Sequence, residues 1–137
     1  VTVSGNGLST PVTATATVTA ETEPRLTISK SLCPATVTEN GQLTYTFVIR
    51  NFGNTAAVAT DNVVVTDTFD PILSNLIVTF DGTAWTQGVQ YNYTPATGLF
   101  STNPGQITVP AATYTQNPDG SYTVTPGTAV LTVTGTV

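Results

Sequence analysis

The 137-residue chain contains no histidine and no methionine, and it contains a single cysteine. General acid–base catalysis near neutral pH most often uses histidine, so neither a Ser-His-Asp nor a Cys-His arrangement can form within this chain. Zinc sites need clusters of cysteine and histidine, which are also missing, and no glycine-rich phosphate loop precedes a helix. The sequence therefore predicts a protein that is not an enzyme and that uses no cofactor or metal.

Charge is equally scarce, since charged residues make up 8% of the chain, against roughly a quarter in a typical protein. The only basic residues are Arg25, Lys30 and Arg50, which cannot form the basic patch that nucleic-acid binding requires. Apolar residues, 39% of the chain, are too dispersed for a membrane span. Because few charges protect strand edges from pairing with other chains, we expect a protein that associates with copies of itself.

Threonine is abundant instead, and it favours β-strands because its Cβ is branched. The clearest strand signal starts at Leu43, where apolar and polar side chains alternate up to Arg50. This period is typical of a half-buried strand and not of a helix, and the turn formers at 51–54 end it. Candidate strands cover residues 1–4, 11–20, 25–32, 35–38, 42–51, 62–69, 75–81, 106–109, 112–116, 121–125 and 128–136.

The connections between these strands are rich in Gly, Pro, Asn and Asp. The clearest hairpin covers 112–125, where Asn-Pro-Asp-Gly at 117–120 supplies the turn, because proline pre-sets the turn and glycine accepts a positive φ. Segment 82–105 is looser and is expected to be an elaborated loop with short strands. Many short strands with frequent turns predict an all-β fold, an antiparallel immunoglobulin-like β-sandwich.

The sequence divides into an N-terminal strand segment with a linker, residues 1–24, and a sandwich, residues 25–137. VTVSGNG at 1–7 is similar to LTVTGTV at 131–137, and similarity at a fixed offset is typical of tandem arrays, although chance also explains so short a match. Residues 1–20 then either end a preceding repeat or form an extra strand that pairs with another subunit. Since the chain has neither an initiating methionine nor a signal peptide, we also expect it to be a mature or excised piece of a longer protein.

One stretch of sequence carries a family pattern. Its residues are Leu26-Thr27-Ile28-Ser29-Lys30, Pro34, Thr36-Val37-Thr38 with Gly41, Thr44-Tyr45-Thr46, Asn51 with Gly53, Asn62-Val63-Val64-Val65-Thr66-Asp67-Thr68, and then Asp70-Pro71. Through these residues the chain resembles the bacterial surface-repeat family known as domain of unknown function 11. The resemblance covers 25–70 well, whereas 71–137 match only in general character.

The resemblance implies an immunoglobulin-like module that occurs in tandem in exported bacterial proteins, such as stalks, fibres and spore appendages. We accordingly expect a structural subunit on the outside of a bacterial cell or spore, whose partners are copies of itself, adjacent repeats or other surface proteins. The strands expected to assemble lie in residues 1–20, with the groove in 128–137. The apolar residues chosen to represent them are Val1, Val3, Val12, Val18, Val130 and Val133.

Lys30 has the same strand parity as Leu26, Ile28 and Leu32, so it is predicted to point with the apolar face of its strand. Asp67 has the parity of the apolar positions around it. Isolated buried charges are very costly, so we predict that Lys30 and Asp67 form an ion pair. A covalent alternative is implied by similar adhesin modules, in which a core lysine forms an isopeptide bond with Asn or Asp. The last strand, 128–137, departs from the commonest version because it has neither residue.

Cys33 cannot form an internal disulfide. It is either a small semi-buried side chain beside Pro34 or, on the outer strand face that its parity predicts, part of an intersubunit contact or disulfide. A different class of function, an adhesin or carbohydrate-binding module, would use aromatic side chains to stack on sugars. The candidates for that use are Trp85, Tyr91, Tyr93 and Phe100, for which a place in the core or in a subunit interface is the simpler alternative.

Overall fold

The computed structural model of the chain describes residues 2–7, 9–16 and 22–137. These residues form twelve strands: β1 (Thr2–Val3), β2 (Val12–Thr13), β3 (Leu26–Cys33), β4 (Gln42–Asn51), β5 (Thr66–Thr68), β6 (Ser74–Phe80), β7 (Thr83–Trp85), β8 (Tyr91–Thr94), β9 (Leu99–Thr102), β10 (Thr113–Gln116), β11 (Tyr122–Thr125) and β12 (Gly127–Thr136). A single 3₁₀ turn, Ala59–Asp61, is their helical element. The predicted all-β class is confirmed.

Four antiparallel sheets organise the strands. The largest has five strands in the order β3-β4-β12-β6-β7, and the next has three in the order β5-β9-β8. The pairs β1-β2 and β10-β11 form separate two-stranded sheets. The buried side chains of the five- and three-stranded sheets belong to one hydrophobic cluster, so these two sheets enclose a common core.

β4 and β12 form the centre of the large sheet. Their side chains alternate between buried and partly exposed along ten residues each, as the sequence predicted for 42–51. They pair in continuous register from Gly127 opposite Asn51 to Thr136 opposite Gln42, while the other side of β12 pairs with β6. β12 therefore has neighbours on both sides, and from Leu131 to Thr136 both of its main-chain edges are paired.

Aromatic rings fill the space between the two sheets. Phe69 lies at the centre, with its ring centroid 4.8 Å from that of Tyr45, 5.5 Å from Phe100 and 6.0 Å from Tyr93. The Tyr93 hydroxyl donates to the carbonyl of Leu73 and accepts from its N–H, at 2.8 and 3.0 Å. Buried phenols usually find such partners, and this one fixes the loop that leads into β6.

A buried asparagine connects the loops at one end of the two core sheets. Asn51 is fully buried, and its Oδ1 accepts from the backbone N–H groups of Arg25 and Gly53, each at 2.9 Å. Its Nδ2 donates to the carbonyls of Thr55 and Pro110 at 2.7 and 3.1 Å. This side chain supplies main-chain groups of three separate segments with the partners that burial demands.

The hairpin predicted over 112–125 is confirmed as β10 and β11, which pair from Thr113 opposite Thr125 to Gln116 opposite Tyr122. Gly120 takes the positive φ, 84°, that its turn position requires. In the same turn Asp119 Oδ1 accepts a hydrogen bond from the Ser121 hydroxyl at 2.6 Å. This hydrogen bond lowers the pKa of the Asp119 carboxyl.

Other strand predictions were wrong in extent. Residues 35–38 form a bend followed by irregular chain and no strand, and 106–109 contribute only an isolated bridge between Val109 and Ala57. The predicted strand at 62–69 shortens to Thr66–Thr68. The loose segment 82–105 holds three strands, β7 to β9. The described part of 11–20 contains strand only at Val12–Thr13.

Candidate functional site: the outer edge of β3

β3 is an edge strand of the five-stranded sheet, so one side of its main chain faces no strand of that sheet. Residues two apart in a strand share a face, and Ile28, Lys30 and Leu32 lie opposite Ile49, Phe47 and Tyr45 of β4. Those three β4 side chains are buried in the core. Ile28, Lys30 and Leu32 therefore lie on the core side of the sheet.

Their exposure nevertheless shows that the core side of β3 is only half covered. Ile28 keeps 54% of its surface exposed and Leu32 keeps 47%, because three strands of the second sheet face five of the first. The parity of Lys30 predicted the direction of this face correctly, but the face is only partly covered. The sequence has the alternation of a half-buried strand, but it does not tell how far the opposite sheet reaches.

The direction of the free main-chain groups follows from the pairing with β4. The N–H of Phe52 donates to the carbonyl of Arg25, and in an antiparallel pair such bonded positions recur at every second residue. Thr27, Ser29, Ser31 and Cys33 then bond to β4, and the residues between them direct their N–H and C=O groups outward. Ile28, Lys30 and Leu32 thus offer both an open main-chain edge and a partly open side-chain face.

The structure brings Lys30 and Asp67 together. Lys30 Nζ contacts Asp67 Oδ2, and the side chains keep 39% and 21% of their surfaces exposed. Asp67 Oδ2 itself is shielded from solvent. Lys30 comes from the edge strand of one sheet and Asp67 from β5, the edge strand of the other. The ion pair therefore links the two sheets along one side.

Aromatic faces surround the ammonium group of this pair. Lys30 Nζ lies 4.6 Å from the ring centroid of Tyr45, 5.8 Å from that of Phe69 and 5.9 Å from that of Phe47. A cation within about 6 Å of an aromatic face is attracted by the ring quadrupole. Burial raises the pKa of the Tyr45 hydroxyl; the positive charge of Lys30 opposes that rise and the charge of Asp67 adds to it. The Asp67 carboxylate and these aromatic rings together hold the ammonium group of Lys30.

Cys33 ends β3 and is exposed as a free thiol. It lies opposite Thr44 of β4, with the strand parity of Ser31 and Ser29. Its side chain is therefore on the outer face of the sheet, away from the core, as the sequence predicted. The alternative, a semi-buried cysteine beside Pro34, does not describe this exposed thiol.

The N-terminal segment is solvent-exposed wherever it is described. β1 and β2 pair with each other through Val3 opposite Val12 and Thr2 opposite Thr13, and every described residue of 2–16 is exposed. Val1 and Val18 lie outside the described residues. Within the described part, 60% of the surface of Val12 is open to solvent.

The predicted groove at 128–137 is corrected by the fold. Val133 is fully buried in the core, and Val130 belongs to the same strand, β12. From Leu131 to Thr136 both edges of β12 are already paired within the chain, so this part of the strand cannot accept another. Among the described strands, β3 is one that keeps an open edge.

The four aromatic residues considered for ligand stacking belong to the core. Tyr91, Tyr93 and Phe100 are buried, and the Tyr91 ring stacks on Phe100 at 5.4 Å. Trp85 is partly buried and stacks on Phe80 at 4.9 Å. The use of these side chains as a sugar-binding platform is therefore contradicted by their burial, and the simpler alternative of core packing accounts for them.

In the part of the chain that the structure describes, no helix is long and apolar enough to cross a membrane. The same residues contain no group of three or more His, Cys, Asp or Glu side chains that could hold a metal ion.

Comparison with known proteins gives no match: no family model fits the chain, and no curated protein or solved structure is significantly similar to it. The likeness to the surface-repeat family therefore depends on the motif residues themselves. For two of them the structure supplies a physical role, because Asn51 bonds four main-chain groups and Gly53 lies against the backbone of 23–25.

Proposed function

We propose that this chain is a structural subunit or repeat module of an extracellular bacterial fibre, such as a pilus-like or spore appendage. Its copies join by pairing a strand of one subunit with a strand of the next. The observation that carries the proposal is the open edge of β3, which combines outward main-chain groups with the half-exposed Ile28 and Leu32. Edges of this kind pair with other chains unless they are protected.

An immunoglobulin-like sandwich is part of the proposal. Antiparallel sheets of five and three strands around one core support it, since two such sheets are the architecture of that class. Modules of this class suit a fibre, because each one buries its own core and leaves its edges for neighbours.

The composition of the chain favours assembly over a monomeric state in solution. With 8% charged residues, the chain has few of the charges that keep monomers apart by repulsion. The surface also exposes apolar side chains in the N-terminal segment, among them Val3 and Val12.

The experiment is a concentration series of the purified chain, followed by light scattering after gel filtration and by negative-stain electron microscopy. We expect masses above that of one subunit and elongated particles at the higher concentrations. Single-subunit mass throughout, without filaments, would contradict the proposal. Immunolabelling of intact source cells and spores tests the surface location, and labelling confined to lysed cells would overturn that part.

A further inference from the structure

We propose that one face of the β10–β11 hairpin binds a neutral oligosaccharide, on which Tyr114 and Tyr122 stack. This inference goes beyond the proposed function, because it adds a ligand site at a place that the open edge of β3 does not involve. Residues 112–125 are all described, and the hairpin forms a two-stranded sheet of its own. Every residue of its two strands is exposed.

The first support is the location of the exposed aromatic residues. Every aromatic residue of the chain belongs to the described part, and most are buried in the core, with Trp85 partly buried against it. The exposed ones are Phe52, Tyr114 and Tyr122, with 42%, 47% and 62% of their surfaces open. The Tyr114 hydroxyl donates to the carbonyl of Phe52, and Tyr122 belongs to the same hairpin. All three therefore belong to one corner of the molecule.

The second support is the register of the hairpin, which places both tyrosines on one face. Tyr114 lies opposite Val124, and Tyr122 lies opposite Gln116. Opposed residues and residues two apart share a face, so these four side chains form one face and the threonines at 113, 115, 123 and 125 form the other. The tyrosines occupy diagonal positions, which lie about 7–8 Å apart. Two stacking positions at that separation suit a ligand of linked rings and not a single sugar.

The third support is the chemistry of this face. A pyranose ring has an apolar side that can stack on an aromatic ring, and its hydroxyls need both donors and acceptors of hydrogen bonds. Tyrosine combines an aromatic body with a polar tip, and the amide of Gln116 supplies donors and an acceptor. Apolar and aromatic surface with a few polar groups is the usual composition of a small-molecule site. The face therefore matches a sugar in both respects.

The charge of the hairpin selects a neutral ligand. Neither strand contains a charged residue, and the carboxylate of the hairpin, Asp119, lies in the turn, where Ser121 donates to its Oδ1. An acidic glycan or a nucleic acid would find no cation in either strand. A proline-rich peptide, which aromatic side chains also bind, docks into a groove, whereas this face is a ladder of two strands.

Hydrogen bonds at both ends hold the hairpin in place before any ligand binds. At its base, Ala112 N–H donates to the carbonyl of Gly53 at 2.9 Å, beside the bond that Tyr114 makes. At its tip, Asn117 N–H donates to the carbonyl of Ser121 at 2.8 Å. An isolated two-stranded hairpin is marginally stable in water, so these bonds help to order the face. An ordered face loses less conformational entropy when it binds.

The experiment is titration calorimetry of the whole purified chain with hexasaccharides of glucose, N-acetylglucosamine and mannose. We expect at least one of them to bind, and neither polygalacturonate nor a polyproline peptide to do so. Tyr122→Ala should weaken binding about tenfold, because it removes one stacking ring. Tyr122→Phe keeps the ring and should bind like the unchanged chain. Thr115→Ala, on the opposite face, is the matched control and should also bind like it.

Absorption spectroscopy gives a second measurement that needs no variant. The other three tyrosines, Tyr45, Tyr91 and Tyr93, are buried in the core. A shift of the tyrosine band when the sugar is added would therefore come from Tyr114 and Tyr122. This shift should be present in the unchanged chain and smaller in Tyr122→Ala.

Several outcomes would overturn the inference. They are binding of none of the three hexasaccharides, equal affinity of Tyr122→Ala and the unchanged chain, an equal loss in Thr115→Ala, and tighter binding of polygalacturonate or polyproline. Loss of assembly in Tyr122→Ala without any sugar binding would also overturn it, since the face would then be a joint between subunits. Filaments of a chain that binds no sugar would leave the proposed function standing, and sugar binding by a chain that never assembles would do the reverse.

Discussion

Asn51 Oδ1 accepts a hydrogen bond from the backbone N–H of Gly53, two residues along the chain, at 2.9 Å. The same oxygen accepts from Arg25, and a Cβ on Gly53 would lie 2.8 Å from the nitrogen of Arg25. The asparagine therefore draws the start of β3 onto the turn, and the glycine leaves room for it. An Asn-x-Gly sequence at the end of a strand thus joins three segments of chain.

Replacing Asn51 with alanine should destabilise the fold strongly. Four main-chain groups would lose their partner, two N–H donors and two carbonyls, and each buried unpaired group costs about 1–3 kcal/mol. Allowing for water that reaches the new space, we expect a loss of about 2–4 kcal/mol in urea unfolding. Asn54→Ala, at an exposed position of the same turn, should stay within about 0.5 kcal/mol. Similar losses for both variants would contradict this role of Asn51.

Lys30→Met should lower stability, and Asp67→Asn should restore part of the loss. Methionine keeps most of the lysine stem but leaves the shielded Asp67 Oδ2 without a cation. Exposed pairs contribute about 0–1 kcal/mol and breaking a buried one costs about 3–5; for this half-buried pair we expect about 1–3 kcal/mol. A double-mutant cycle by urea unfolding measures the coupling. If the losses in the free energy of unfolding of the two single variants add up to that of the double variant, the contact contributes nothing to stability.

The intact mass of the protein should equal that of its unmodified sequence. Formation of an isopeptide bond between Lys30 and Asp67 would join the amine nitrogen to the carboxyl carbon and release one water. The structure shows the two side chains as an ion pair between Nζ and Oδ2 and not as a covalent link. Mass spectrometry of the denatured chain decides between the two. A mass lower by one water in the unchanged chain, together with an unmodified mass in Lys30→Met, would establish the covalent bond.

Alkaline pH should weaken the fold in part through Tyr91. Burial raises the pKa of its hydroxyl above the usual 10.0, so the folded protein keeps this proton where the unfolded chain releases it. The stability that results is complete below pH 10 and declines as the pH rises through the raised value. In urea unfolding at several alkaline pH values, Tyr91→Phe should lose stability less steeply than the unchanged chain. Tyr122→Phe, at an exposed ring, should follow the unchanged chain.

Cys33 should lie near a contact between subunits, because it occupies the outer face at the end of the edge strand. Assemblies formed under oxidising conditions are expected to yield a dimer on a gel without reductant. Since each chain has one cysteine, the partner in a homopolymer must be another Cys33, with Cα atoms within about 7 Å. Cys33→Ser should remove the dimer band. Identical gels with and without reductant would rule out the bridge.

Sequence reasoning succeeded where one strand carries a complete alternating pattern. The prediction of 42–51 matches β4 residue for residue, because the apolar residues at every second position, Leu43, Tyr45, Phe47 and Ile49, are buried in the core. It failed at 106–109, where Ile107 and Val109 are buried as a strand pattern predicts, yet the chain forms only one bridge. Alternation shows which side chains are covered and not whether a neighbouring strand is present.

At the candidate site, too, the sequence predicts which side chains share a face but not which strands lie beside them. The parities of Lys30 and Asp67 were enough to predict that they meet. The open side of β3 was not predictable, because it depends on the widths of two sheets whose strands are distant in sequence. The alternation Tyr91-Asn92-Tyr93-Thr94 was a usable signal for β8, but its four residues are close to the shortest run that can be distinguished from chance.

β12 comes late in the chain, at 127–136, yet it lies between β4 and β6. A ribosome makes β4 and β6 first, and these two strands have no shared partner until residue 136 is free. The β3–β4 hairpin can form early, whereas closure of the sheet joins residues more than fifty positions apart and is correspondingly slow. The five-stranded sheet therefore cannot close before residues 127–136 are present, and a chain cut ahead of Gly127 would leave β4 and β6 without the strand that joins them.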